Sequence, residues 1–250
     1  MWETLEEFYD AVPRHSARVE EHGSLVLFVQ AHEGGWPLYA RPRFPGGEPT
    51  VDDVAEMRAR QRELGVPEAF EWVHETTPGL LEAAEQAGLS VLRAPLLVLD
   101  PHLLPPADDE RVRVLDEAPE VLGVVGRLAF SVPGTEKGEL GTAERDAELT
   151  GAAPEPSMNR HAAAELPGHG VVAVGTAQRA GDVVEIAGVG TLPAARRQGL
   201  GGAITAALAH DALDRGAKIV FVSAGSETIA QVYERVGFRR VGTACIAEPG

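Results

Sequence analysis

Cysteine, positive charge and long apolar stretches are all scarce in this sequence. The single cysteine, Cys245, excludes an intramolecular disulfide, a CxxC redox pair and a metal cluster built on cysteines. No stretch approaches the ~20 apolar residues that span a bilayer, and the acidic N-terminus from Met1 to Glu7 lacks the apolar segment of a signal peptide. We therefore expect a soluble, cytoplasmic protein with no membrane partner.

Positive charge is outweighed, with 22 lysine and arginine residues against 38 aspartate and glutamate residues and a net charge of -16. Such a surface repels nucleic acid and anionic lipid, so neither is expected as a partner, whereas protonated amines are attracted. The histidines of the first half (His15, His22 and His32) lack metal-ligand spacing, and no metal is predicted. A hydrophobic content of 44% is ample for a packed core.

The segment from Leu99 to Glu110 concentrates prolines and acids, as a linker does. It predicts a first domain at residues 1–108 and a second at 109–250. In the second domain the patterns predict a strand, a helix, a polar helix and loop (Ser131 to Pro156), an antiparallel hairpin, a helix, a strand, a helix and a last strand.

The first half repeats the end of this order at an offset of 149 residues, which pairs Gly88 with Gly237 and Trp72 with Phe221. We favour a duplication, although any two α/β segments look alike at this level. The first half has Pro42 to Pro49 where the second has a glycine turn, so we expect it to bind no phosphate.

That glycine turn, Arg196 to Gly201, lies between the apolar stretch Val183 to Leu192 and an alanine-rich helical stretch. A strand that turns through glycines into a helix leaves the first amides of the helix unpaired, beside the positive end of its dipole, and this makes an anion site. Glycine is expected at Gly199 and Gly201 because a Cβ would keep phosphates from the backbone, and Arg196 is expected to add a forked charge.

Two common phosphate-binding loops are disfavoured. A Walker loop ends in Gly-Lys-Ser/Thr, but Gly201 is followed by Gly202 and Ala203. A nicotinamide-binding fold has an acidic residue after the next strand, but the strand from Lys218 to Ser223 is followed by alanine and glycine.

The string from Thr191 to Gly202, with Pro193, Arg196, Gly199 and Gly201, resembles the acyl-CoA-binding motif of the GNAT superfamily of N-acyltransferases, Pro-x-x-Arg-x-x-Gly-x-Gly/Ala. A second GNAT hallmark follows from Ala230 to Phe238. One departure is Glu227, where the family often has asparagine. The resemblance implies an α/β (α+β) fold with a mixed, mostly antiparallel central sheet flanked by helices, present twice in tandem with the first copy degenerate.

The resemblance also implies the activity: an N-acetyltransferase that transfers an acetyl group from acetyl-CoA, as co-substrate, to the amine of a small molecule or peptide, as a monomer or homodimer. A non-catalytic protein that binds or senses acyl-CoA is the alternative. The residues implied in CoA binding are Val189 and Thr191 on the strand and the turn residues Arg196, Arg197, Gln198, Gly199, Leu200, Gly201, Gly202 and Ala203.

Two residues are candidates for the chemistry. Glu185 lies eleven residues before Arg196, where some family members place a catalytic base, and alternation puts it on one face with Ala187, Val189 and Thr191. A solvent-facing strand carboxylate is the alternative. Tyr233 matches the tyrosine that many members use as general acid toward the CoA sulfur; filling the core is its alternative role. Weaker candidates for the acceptor pocket are Ser131, Glu136, Glu139, Glu144, Asn159, Arg160 and His161.

Overall fold

The computed structural model describes residues 1–31, 38–150 and 159–250, so His32 and part of the polar region predicted before residue 156 lie outside the described residues. The chain forms two compact units: unit 1 is Met1–Leu96 with Val241–Gly250, and unit 2 is Leu97–Arg240. These limits differ from the predicted division after residue 108. The proline-rich segment belongs to unit 2, where the Pro105 carbonyl oxygen lies 2.9 Å from His210 Nε2.

Unit 1 has helices on a sheet that the last strand of the chain completes. Its elements are α1 (Trp2–Arg14), β1 (Ala17–His22), β2 (Leu25–Gln30), β3 (Ala40–Pro42), α2 (Val51–Leu64), β4 (Phe70–Val73), α3 (Gly79–Gln86), β5 (Leu89–Leu99) and the end of β11 (Phe238–Pro249). The strand order is β1-β2-β3-β4-β11-β5. The β1–β2, β2–β3 and β4–β11 pairs are antiparallel, and β3–β4 is parallel. Helix α1 and strand β1 were not predicted.

Unit 2 has the predicted order of elements with one addition. Its elements are β6 (Val112–Leu115), α4 (Glu120–Ser131), α5 (Thr142–Leu149), β7 (Arg160–Leu166), β8 (Gly170–Ala180), β9 (Val183–Thr191), α6 (Leu200–Asp214), β10 (Ile219–Ser223), α7 (Glu227–Arg235) and the start of β11. The strand order is β10-β9-β8-β7-β6, with β9 and β10 parallel and the other pairs antiparallel. The predicted β8–β9 hairpin is confirmed, and β7 is the addition.

Helices flank the sheet of unit 2 on both faces. A Cβ built on Gly126 of α4 would lie 4.0 Å from Val174 Cγ2, so α4 packs on the face that Val174 presents. A Cβ built on Gly175 would lie 2.6 Å from Ile204 Cγ2 of α6, so α6 packs on the other face. The predicted fold class, a mixed and mostly antiparallel sheet flanked by helices, is confirmed.

The two units repeat the same elements at the offset predicted from the sequence. Adding 149 places α2 at 200–213 against α6 at 200–214, and β4 at 219–222 against β10 at 219–223. The same shift places α3 at 228–235 against α7 at 227–235, and β5 at 238–248 against β11 at 238–249. Gly88 and Gly237, which follow α3 and α7, both have a positive φ, 84° and 102°. The chain is therefore a tandem repeat.

None of the helices in the described residues combines the length and the apolarity needed to cross a bilayer.

Candidate active site

The turn between β9 and α6 has the left-handed backbone that its glycines predict. After a single 3-10 turn at Pro193–Ala195, Arg197 has φ 66° and Gly199, the N-cap of α6, has φ 79° and ψ 0°. A residue with a Cβ is strained in this conformation, whereas glycine adopts it freely. The backbone conformation itself thus favours glycine at position 199.

The amides of this turn form an open donor surface. The first helical hydrogen bond runs from the Ala203 amide to the Gly199 carbonyl oxygen at 3.1 Å, and no side chain caps the helix. Within the described residues, none of the amides from Arg197 to Gly202 donates to a protein acceptor. Unpaired amides at a helix N-terminus bind anions. The donor set therefore ends at Gly202, because the amide of Ala203, which we also expected to bind, is already paired.

The three residues that follow the N-cap differ in what a side chain would meet. Leu200 is buried in the core, 2% exposed. A Cβ built on Gly201 would lie 3.8 Å from Val189 Cγ1, and one on Gly202 would lie 3.6 Å from Val236 Cγ2, both ordinary contacts. The Cβ of Gly201 would thus point toward β9, and the expectation that glycine lets phosphates approach the backbone there stays a prediction.

Arg196 does not present a forked charge to the turn, contrary to our expectation. The residue is only 8% exposed, and four of its N–H groups donate to backbone carbonyl oxygens. The acceptors are Ala129 (2.8 Å), Val132 (2.7 Å), Glu136 (3.2 Å) and Thr191 (3.3 Å). Burial lowers the pKa of the guanidinium. The Arg196 side chain turns to the end of α4 because the last carbonyl groups of a helix lack hydrogen-bond donors and favour a nearby cation.

The side chains of the next two residues lie at the surface. The Arg197 guanidinium is 59% exposed and lies 3.9 Å from a carboxylate oxygen of Glu136. Gln198 is exposed, and its amide nitrogen donates to the Ala195 carbonyl oxygen at 3.2 Å.

Strands β9 and β10 separate just past Glu185. Their parallel register runs from Val183–Ile219 to Glu185–Phe221, although β9 continues to Thr191 and β10 to Ser223. Beyond Glu185, the edge of β9 that carries Val189 and Thr191 has no ladder partner in β10 among the described residues. An unpaired strand edge offers main-chain donors and acceptors to an extended ligand.

A bulge in β9 overturns the expectation that Glu185 shares a face with Val189 and Thr191. Between the pairs Thr176–Ala187 and Val174–Gly190, β8 has one residue and β9 has two, Gly188 and Val189. Gly188 has φ 59°. The extra residue reverses the alternation, so Glu185 and Gly190 face α4, while Val189 packs toward α6.

Glu185 and Tyr233 come close enough to interact. Tyr233 is 7% exposed, and its ring lies 6.1 Å from that of Phe238, so the residue also packs in the core as our alternative had it. Burial, and next the negative charge of Glu185, raise the pKa of Tyr233 to about 12. The two candidates for the chemistry thus lie beside the point where β9 and β10 separate.

Two pairs of polar residues lie on the α4 face of the sheet, at neighbouring positions along β8. Gln178 lies opposite Glu185, and His161 lies opposite Thr176, whose hydroxyl is 3.2 Å from His161 Nδ1. Burial, and next the charge of Arg160, lower the pKa of His161. Arg160 itself turns to the other face and pairs with Asp211 at 2.9 Å. Of these two weaker candidates, His161 thus lies on the Glu185 face and Arg160 does not.

Two further features border the site. Phe130, 51% exposed, lies at the end of α4, and a Cβ built on Gly190 would be 3.4 Å from its ring and 2.8 Å from Ala129 Cβ. A cavity of about 260 Å³ adjoins Gly199 and is lined by residues of α6. The segment from Pro105 to Asp109, which we had interpreted as a linker, forms the wall of this cavity opposite the helix.

Comparisons with known proteins agree with this geometry. The family model described as FR47-like protein matches residues 172–246, which run from β8 to β11 and include the turn. No curated protein matches the sequence. Among solved structures, a GCN5-related N-acetyltransferase from Kribbella flavida is 23% identical, with a TM-score of 0.74 over 100% of this chain and 96% of that chain.

The fold is that of the GCN5-related N-acetyltransferases among the solved structures. A GCN5-related N-acetyltransferase from Sphaerobacter thermophilus, 19% identical, has a TM-score of 0.58 over 96% of this chain and 86% of its own. A tandem GNAT protein from the clavulanic acid biosynthesis pathway, 14% identical, has a TM-score of 0.53 over 90% of this chain and 78% of its own. Both likenesses concern the fold. The FR47-like match contains Glu185, the turn and Tyr233, so the residues implied in CoA binding and in the chemistry lie within the matched segment.

Proposed function

We propose that this protein is an acyl-CoA-dependent N-acyltransferase that transfers an acetyl group from acetyl-CoA to the amine of a small molecule or peptide. The observation that carries the proposal is the turn from Arg197 to Gly202, whose amides have no protein acceptor among the described residues, next to the unpaired edge of β9. The turn would hold the pyrophosphate of CoA, and the main chain of Val189 and Thr191 would pair with the pantetheine arm.

Glu185 is the group that would take the proton from the attacking amine. An alkylammonium has a pKa of about 10, so it must lose a proton before it attacks at neutral pH. Glu185 is half-buried, lies next to the opening between the strands, and has Gln178 opposite on β8. The amine nitrogen would then attack the thioester carbonyl, the carbon–sulfur bond would break, and the sulfur would leave as a thiolate. The remaining extra proton on the nitrogen would pass to the solvent or to the departing thiolate.

Tyr233 would act on that thiolate as a hydrogen-bond donor. Its pKa of about 12 keeps the phenol protonated at neutral pH. Full transfer to a thiolate with a pKa of about 8.5 costs about 5 kcal/mol in this state. The cost falls when Glu185 becomes neutral by accepting the amine proton, because the charge that raises the pKa of Tyr233 is then gone. Deprotonation of the amine and protonation of the leaving sulfur are therefore coupled through these two residues.

The proposal is tested by incubating the protein with acetyl-CoA and a panel of amines and following free thiol. Cys245 is fully buried and its pKa is raised to about 11, so the folded protein should give little background with a thiol reagent. Amine-dependent thiol release supports the proposal, and Tyr233→Phe should slow it while leaving CoA affinity nearly intact. Tight binding of acetyl-CoA without release for any amine would favour the non-catalytic sensor instead.

A further inference from the structure

The face of the sheet that carries Glu185 has neutral polar groups beside this one carboxylate. Gln178 lies opposite Glu185 on β8, and Thr176 lies two residues away along the same strand, about 6.6 Å at the rise of a strand. His161 of β7 lies opposite Thr176, with its Nδ1 3.2 Å from the Thr176 hydroxyl. Residues directly opposite each other in an antiparallel pair point to one face. The four side chains therefore lie together on the face on which α4 packs.

The arginines of these strands turn away from that face. Strands β7, β8 and β9 contain two arginines, Arg160 and Arg179, and no lysine. Arg160 pairs with an aspartate of α6 at 2.9 Å, and Arg179 donates to a backbone carbonyl oxygen at the end of α6 at 2.8 Å. The one arginine of α4, Arg127, lies 3.4 Å from a carboxylate oxygen of Glu148 in α5. The three strands thus place no permanent positive charge beside Glu185.

His161 does not supply a positive charge either. The residue is 8% exposed, and burial, followed by the charge of Arg160, lowers the pKa of its imidazole. The ring is therefore neutral at neutral pH, and a neutral imidazole both donates and accepts a hydrogen bond. The hydroxyl of Thr176 and the carboxamide of Gln178 also do both. These groups suit a hydroxyl or an amide, and none of them carries a charge that would balance a carboxylate or a phosphate.

We propose that His161, Thr176 and Gln178 select the acceptor: an amine whose second polar group is a neutral hydroxyl or amide and not a carboxylate or a phosphate. The inference rests on the proposed function, because it assumes that the amine reacts beside Glu185. The ammonium group lies at the carboxylate of this face, and the neutral group lies farther along β8. A carboxylate there would be repelled by Glu185 and would lack the paired donors that an arginine gives.

The test compares three amines of the same chain length: a four-carbon ω-amino alcohol, the corresponding ω-amino acid, and butylamine. Each has an ammonium pKa of about 10, so a difference in rate reports on the second group and not on the amine. The value of kcat/KM for each amine is measured from thiol release at saturating acetyl-CoA. The variants are Gln178→Leu, His161→Leu and the conservative His161→Gln. The matched control is Gln86→Leu, which removes an exposed carboxamide from α3 of unit 1.

We expect the wild-type protein to use the amino alcohol at least about fivefold better than butylamine and at least about tenfold better than the amino acid. Gln178→Leu and His161→Leu should each lower the preference for the amino alcohol over butylamine at least about threefold, because each removes a hydrogen-bonding partner of the hydroxyl. His161→Gln keeps a neutral donor and acceptor, so its preference should stay within about twofold of the wild-type value. Gln86→Leu should match the wild-type protein.

The proposal is overturned if the wild-type protein uses the three amines equally or prefers the amino acid, or if Gln178→Leu and His161→Leu both keep the wild-type preference. A loss of preference as large in Gln86→Leu would also contradict the assignment.

A binding measurement separates this proposal from the proposed function. The NMR signals of the Gln178 carboxamide and the His161 ring are followed as each amine is added to the protein in the presence of CoA. If no amine releases thiol from acetyl-CoA, the proposed function is refuted. In that case, shifts caused by the amino alcohol but not by the amino acid still support selection at this face, whereas equal shifts, or none with any amine, overturn it.

Discussion

Replacing Gly199 or Gly201 with alanine should change the stability of unit 2 in opposite directions, although the two glycines are two residues apart in the same turn. Gly199 has φ 79°, with no atom within 4 Å of a built Cβ, so the only obstacle to alanine is the backbone conformation. Gly201 is in the first turn of α6 with an ordinary φ, and its Cβ would make a normal 3.8 Å contact with Val189. Packing is thus permissive at both positions, and the backbone decides.

The magnitudes follow from the two backbone conformations. Alanine in the left-handed region costs about 1–2 kcal/mol, so Gly199→Ala should lower the free energy of unfolding by this full amount. Alanine in place of glycine in a helix gains about 0.5 kcal/mol or slightly more, because the unfolded chain has less freedom to lose. The two variants should therefore differ by about 1.5–2.5 kcal/mol in free energy of unfolding.

The assay must report on unit 2. All three tryptophans, at positions 2, 36 and 72, belong to the first 96 residues, so tryptophan fluorescence follows unit 1. Native-state hydrogen exchange of the α6 amides, such as those of Leu208 and Ala209, measures unit 2 directly. A Gly199→Ala variant whose α6 is as protected as in Gly201→Ala would refute the reasoning.

Three further predictions concern titration and a buried ion pair. In Glu185→Gln, the pKa of Tyr233 should fall below about 12 but stay above its usual 10, because burial is the larger cause of the shift. NMR titration of the tyrosine ring measures this pKa, and an unchanged value would mean that the two groups do not interact. Burial raises the pKa of Glu71 to about 7 from 4.5, so the folded state favours the neutral carboxyl, and stability is lost as pH rises through this range. Glu71→Gln should then stabilise unit 1 by up to about 3 kcal/mol at pH 8 but not at pH 4. Urea unfolding followed by fluorescence measures this, and equal effects at both pH values would contradict the linkage. Arg41 and Glu6 are ion-paired and each 1% exposed. Arg41→Met should therefore lower the free energy of unfolding of unit 1 by about 3–5 kcal/mol in the same assay, because it leaves a buried charge unpaired. A loss under about 1 kcal/mol would show that the pair is dispensable.

The sequence alone predicts those elements whose local residue pattern favours the structure that they also have in the folded protein. The glycines at 88, 199 and 237 all have the positive φ that a cap or turn requires, and the spacing of Gly88 and Gly237 indicates the repeat at 149 residues. Strand β7 was missed because its residues, Arg160 to Leu166, include three alanines, a glutamate and a leucine, which favour a helix. Antiparallel pairing with β6 and β8 overrides that preference. Such pairing cannot be predicted from the residues of β7 alone.

The site was predictable as a set of positions but not as a set of directions. The motif located the turn, yet the direction of the Arg196 side chain depends on the carbonyls of α4, which lie more than 60 residues earlier in the chain. Strand alternation placed Glu185 on a face with Val189, but one extra residue at Gly188 reverses the face. Spacing fixes which residues are near one another, whereas long-range contacts and bulges fix where their side chains point.

The repeat also gives a physical reason why one half has an open anion site and the other does not. Thr50 occupies the place of Gly199 and Asp53 the place of Gly202 at the offset of 149 residues. In α2 the Thr50 hydroxyl accepts the Asp53 amide at 3.2 Å, and the Asp53 carboxylate accepts the Thr50 amide at 2.7 Å. The backbone hydrogen bond from Thr50 is the main cause of the lowered pKa of Asp53, so a negative charge already sits at this helix N-terminus. An external phosphate would meet paired amides and a carboxylate there, whereas at α6 it meets free amides and Arg197.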